Sequence, residues 1–100
     1  MKFVQLIEFQ TSRIDELTAL LDEWSASVEG LSDVPSRVML CADRDRPGTY
    51  VHIVEFASYD AAMTNSARPA TAEFAERLGK LTDGETLFRN LDVTREETVS

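Results

Sequence analysis

The stretch from Tyr50 to Phe74 limits the possible architectures more than any other part of the chain. It opens with Tyr50-Val51-His52-Ile53-Val54-Glu55-Phe56, a run dense in β-branched and aromatic side chains that reads as a strand. Alternation puts Tyr50, His52, Val54 and Phe56 on one face and Val51, Ile53 and Glu55 on the other. Each face carries at least two large apolar residues, so the strand is expected to be covered on both sides. Ser58 then offers an N-cap, Asp60 suits the positive end of a helix dipole, and the pattern becomes helical.

The remaining elements fall around this passage. Lys2–Phe9 alternates as a first strand, with Phe3, Gln5, Ile7 and Phe9 on one face and Val4, Leu6 and Glu8 on the other. Ser12 followed by Asp15 resembles a capping box, and Ile14, Leu17, Leu21, Trp24 and Val28 form one helical stripe, predicting a helix over 13–29 with a stop at Gly30. Ser36–Ala42 predicts a second strand, joined through the polar turn Asp43–Gly48 to the antiparallel strand from Thr49. The second helix begins at Ser58, is interrupted near Asn65–Pro69, and resumes with a stripe of Thr71, Phe74, Ala75, Leu78 and Leu81 that Asp83-Gly84 should end. Thr86–Thr94 predicts a fourth strand, and a polar tail follows from about residue 95.

Strand, helix, strand, strand, helix, strand is the ferredoxin-like βαββαβ order, an α+β fold with a four-stranded antiparallel sheet and two helices on one face. One domain over 1–100 accommodates it. On this reading the face opposite the helices exposes Phe3, Ile7, Tyr50, Val54, Phe56 and Phe88, too much apolar surface for a monomer. Burial against a second copy, giving a homodimer, is the expected remedy.

A net charge of -8 argues against a nucleic-acid partner and against an anionic membrane surface. No apolar run approaches the roughly 20 residues of a membrane span, and the alternating start lacks a signal-peptide pattern, so a cytoplasmic protein is expected. Cys41, the single cysteine, lies in an apolar run and is expected to be a small buried hydrophobe. It rules out an intrachain disulfide and a zinc site of paired thiols.

The element order, together with Val54-Glu55-Phe56-Ala57-Ser58-Tyr59-Asp60-Ala61-Ala62, resembles the antibiotic-biosynthesis-monooxygenase-like domains of the dimeric α+β barrel superfamily. In that family an aromatic residue closes the third strand before a short polar turn and an alanine-containing helix start. The resemblance spans Lys2 to about Val93 and implies a homodimer with an apolar cavity for a small aromatic or polyketide-like molecule. It also implies either cofactor-independent monooxygenation or, as the alternative, non-catalytic binding or accessory function. Heme-degrading members carry an Asn on the first strand, a Trp ending the third and a His on the next helix. Here the matching places hold Ile7, Phe56 and a residue near Asn65 or Ser66, so no heme, other cofactor or metal is expected.

His52 is the only histidine, and its face is expected to line the barrel interior formed with the second copy. A buried imidazole there can shuttle a proton, or serve as a structural hydrogen-bonding group. Metal ligation is not expected, because no second His or Cys lies at ligand spacing. Tyr50 and Phe56 would hold a ring, while Gln5 and Asn90 would orient polar groups or bond to each other. Glu8 and Glu55 are expected on the helix side, paired with an arginine such as Arg89, and Trp24 in the core.

Overall fold

The computed structural model describes residues 1–99. Its elements are β1 (Phe3–Gln10), α1 (Ile14–Val28), β2 (Arg37–Ala42), β3 (Thr49–Phe56), α2 (Tyr59–Ser66), α3 (Pro69–Leu81) and β4 (Asp83–Asp92). The strands form one antiparallel sheet in the order β2-β3-β1-β4, the ferredoxin-like arrangement anticipated from the element order. The two central strands pair without a break from Phe3 opposite Phe56 to Gln10 opposite Thr49. Thr49 follows a turn in which Gly48 adopts φ +83°, a conformation that costs glycine little. The Gly48 carbonyl accepts from the Thr11 N–H at 3.0 Å, which fixes the end of β1 against the turn.

Directly paired residues share a face, so the register settles which side each residue occupies. Phe3, Ile7, Phe9, Val54 and Phe56 are buried with Leu17, Leu20, Ala61, Ala62 and Leu78 in a single core between sheet and helices. This reverses the expected face assignment: Phe3, Ile7, Tyr50, Val54 and Phe56 lie under the helices and not on the bare side. The aromatic set supplies the volume needed to fill the space between helices and sheet. The bare side carries Val4, Leu6, Val51 and Ile53 at its centre, flanked by Met39, Cys41, Leu87 and Leu91. Met39, Leu87 and Leu91 are exposed. Cys41 is also exposed, contrary to expectation, because it sits on the outer face of the edge strand β2. Phe88 is paired with Ile7 and so belongs to the helix side, but β4 is an edge strand and leaves it 59% exposed.

Helix α1 buries Leu17, Leu20, Trp24 and Val28; Leu20 extends the stripe read from the sequence. The Ser12–Asp15 capping box does not form. Arg13 takes the N-cap position without a side-chain cap, its N–H donates to Thr11 Oγ1, and the Ser12 N–H donates instead to Asp83 Oδ2. The interruption after Asn65 is real, giving two helices, with Pro69 in the first turn of α3. Asp83-Gly84 begins β4 instead of ending the helix. Ser58 caps α2 as expected, its Oγ accepting from the Ala61 N–H at 3.1 Å. Ser58→Ala should therefore cost about 1 kcal/mol, readable as a lower urea midpoint with an unchanged slope.

Candidate active site

Between the sheet and the helices lies a cavity of about 60 Å³. Phe3, Ile7, Val54, Phe56 and Phe74 give it apolar walls, and Gln5, His52, Asn65 and Thr71 place polar atoms on it. Central strands β1 and β3 supply most of the floor, while the broken α2–α3 segment supplies the roof. Against it, between α1 and β2, lies a groove of about 160 Å³ that shares Trp24 and His52 with the cavity. Room for a benzene-sized molecule is ~150 Å³, so the cavity alone is too small for a ring and the groove is not.

His52 is 3% exposed, and its Nε2 has no hydrogen-bond partner among the described residues. Burial disfavours the imidazolium and lowers its pKa from 6.5 to about 4. The ring is therefore neutral at pH 7. With its proton on Nδ1, the Nε2 lone pair is free to accept a proton or a hydrogen bond.

The other expected site residues divide. Gln5 and Phe56 join His52 at the cavity. Asn90 is exposed on β4 and does not line it; its Oδ1 accepts from Gln5 Nε2 at 3.2 Å, so it holds Gln5 from the side. Tyr50 lies at the other end of β3, where it stacks on Phe9 at 6.0 Å with an interplanar angle of 22°, and it is not part of the cavity wall. Glu8 and Glu55 are on the bare face, not the helix side. Glu8 lies 3.4 Å from Arg46 and Glu55 2.8 Å from Lys2, so each has a cation, but neither is Arg89.

Trp24 and Asn65 also line the cavity, which the sequence does not predict for either. Trp24 is buried as expected for core, yet it also stands between cavity and groove, packed on Phe74 at 5.4 Å. Its Nε1–H donates to Thr71 Oγ1 over a long 3.4 Å. Asn65 is 4% exposed and reaches the cavity from the last turn of α2. In the sequence it is marked only as a polar side chain beside the helix break, near the place that holds the helix histidine in heme-degrading members of the family the chain resembles.

The fold can be compared directly with solved structures. SnoaB, a cofactor-independent oxygenase from Streptomyces nogalater, superposes with a TM-score of 0.80, covering 95% of each chain at 18% identity. A candidate antibiotic biosynthesis monooxygenase from Caulobacter crescentus gives 0.80 at 14% identity, over 94% of this chain and 91% of that one. The chain has the antibiotic biosynthesis monooxygenase-like fold. A Mycobacterium tuberculosis protein gives 0.78 at 18% identity, over 98% of this chain and all of the other. No protein-family profile matches the chain, and no curated protein matches it in sequence. Within this monooxygenase-like fold the site is defined by its own side chains, because such identities carry the architecture and not the chemistry. No helix among the described residues is long and apolar enough to cross a membrane.

Proposed function

We propose that the protein is a small oxygenase of aromatic or polyketide-like molecules, working without a bound cofactor. The observation that carries this reading is the neutral, unpartnered Nε2 of His52 inside an aromatic-walled cavity. The fold it shares with a cofactor-independent oxygenase supports it. A ring methylene made acidic by a neighbouring carbonyl would give its first proton to His52. The resulting carbanion is the electron donor to O₂. Conversion of that methylene to a carbonyl supplies four electrons to O₂, placing one oxygen in the product and releasing the other as water. An imidazolium is costly in this cavity by itself, but one formed beside the substrate anion is paired with it. The ring would lie in the groove beside Trp24 and His52, with its polar substituent reaching Gln5 in the adjoining cavity, where Phe56 forms part of the apolar wall and Asn90 supports Gln5.

The reading extends to a homodimer closed through the bare sheet face, whose contiguous apolar centre is what a two-fold interface covers. Anthrone, a tricyclic ketone with such a methylene, is a suitable probe. Purified protein should consume O₂ with it, forming anthraquinone in equal amounts, and His52→Gln should abolish that turnover while leaving the circular dichroism unchanged. Tight binding of anthrone with no O₂ uptake would replace the enzyme with a carrier. No binding of anthrone or of smaller aromatic ketones would remove the cavity from consideration.

A further inference from the structure

We propose that Arg68 is a positioning residue that turns the side-chain amide of Asn65 so that the cavity presents an N–H donor at that point. Arg68 Nη1 donates to Asn65 Oδ1 at 3.1 Å and to the Asp33 carbonyl at 3.1 Å, while Nη2 donates to the Ser32 carbonyl. A guanidinium has five N–H donors and no acceptor, so the only end of an amide it can hold is the oxygen. The opposite orientation would set the Asn65 NH₂ against the guanidinium N–H groups and strand a buried polar group. The nitrogen end of Asn65 is thereby left for the cavity.

The backbone holds Arg68 where this is possible. It is the N-cap residue of α3, its own N–H donates to the Asn65 carbonyl at 3.2 Å, and Pro69 follows. On the far side, Asp33 takes φ +56°, an uncommon conformation for a residue with a side chain. One guanidinium therefore fastens the turn before β2 and the amide in the cavity together. A lysine is a single point charge and does not reproduce the planar fork that meets both carbonyls and the amide.

The consequence for ligands rests on the groove and cavity together being the binding site: with the ring in the groove, Asn65 favours molecules whose carbonyl or other acceptor oxygen reaches into the cavity. 1-Tetralone and tetralin are matched probes, two bicycles of similar shape that differ in one carbonyl. Wild-type protein should bind the ketone about threefold to tenfold more tightly, the range expected for one hydrogen bond. Arg68→Met keeps the apolar stem but removes the donors, and should bring the two ligands close to parity, as should Asn65→Leu.

A ligand-free measurement separates this proposal from the functional reading. The ¹⁵N side-chain amide signal of Asn65, identified by its loss in Asn65→Leu, should move in Arg68→Met, and the Leu31 and Ser36 backbone amides, which donate to the Val28 and Glu55 carbonyls, should exchange at least tenfold faster. If wild-type protein binds neither probe, the ligand-site reading fails and these spectra alone decide the role of Arg68. An unmoved Asn65 signal with unchanged exchange overturns the proposal, as does a ketone preference that survives Arg68→Met. Should Arg68→Met not fold, Arg68→Gln serves in its place: its amide accepts as well as donates and no longer fixes which end of Asn65 faces it, so the same shift and the same loss of preference are expected.

Discussion

On the homodimer proposed above, Leu6→Asp should give a folded monomer, whereas Val54→Asp should leave no folded protein. Leu6 is paired with Ile53 at the centre of the bare face, half-buried by its own neighbours. A carboxylate there meets water in the monomer but is trapped without a partner in a two-fold interface, where an unpaired buried charge costs several kcal/mol. Val54 is 5% exposed in the core beneath the helices, and an aspartate there has neither water nor a cation. That loss is comparable with the whole stability of a domain this size. Sedimentation at micromolar concentration distinguishes the outcomes, because wild type should run at twice the 11.2 kDa of one chain. A wild-type protein that sediments only as a single chain, or a Leu6→Asp variant that remains dimeric, would show that the bare face is not the interface.

The second large effect is a loss of stability in mild acid that depends on one side chain. His52 has its pKa lowered from 6.5 to about 4 by burial, so between those values the unfolded chain binds a proton that the folded chain does not. Its contribution is fully present above pH 6.5 and is lost as the pH falls through 6.5 toward 4. Across that window the folded state should lose about 3 kcal/mol relative to a chain lacking the residue. His52→Gln, which does not titrate, should show a flatter profile over the same range. Urea unfolding at half-unit pH steps measures both curves. Parallel curves for the two proteins would mean that the imidazole is solvated, and the proton-acceptor role would then lack its physical basis. A bound substrate anion should raise the His52 pKa, which is visible directly because the chain has a single histidine.

The architecture was readable because each element carried its own signal. The α1 stripe, the Ser58 cap and the break before Pro69 are local features, and local features determine element order. The sides of the sheet were not readable in the same way. β1 and β3 are apolar on both faces, so alternation sorts their residues into two sets without saying which set the helices cover. The polar residues held the missing information. His52 and Gln5 can be neutral and are tolerable beneath helices, while Glu8 and Glu55 are charged and lie where Arg46 and Lys2 can meet them. Charge is much more costly to bury than a neutral polar group, and that difference identifies the bare face. For the site, His52, Gln5 and Phe56 could be chosen because strand alternation groups them. Tyr50 belongs to the same set but is too far along β3 to reach the cavity. Asn65 lacks any periodic partner, so alternation and helical spacing could not select it, and its hydrogen bond from Arg68 is visible only in three dimensions.

The same two carboxylates have another role when the chain is regarded as something that must fold. A strand with apolar residues on both faces can slide by one position against its neighbour and still bury grease on either side. Hydrophobicity alone therefore gives β1 and β3 little protection against a frame error. Such a slip would turn the side bearing Glu8 or Glu55 toward the helices, leaving a carboxylate in the core and its cation behind. Glu8 and Glu55, one toward each end of the β1–β3 ladder, would thus act as proofreading marks for strand pairing. Replacing both with leucine would make the native sheet no less apolar, yet it would remove the penalty on the misaligned one. The expected symptom is slow, heterogeneous refolding and aggregation from a protein whose correctly folded fraction is as stable as before.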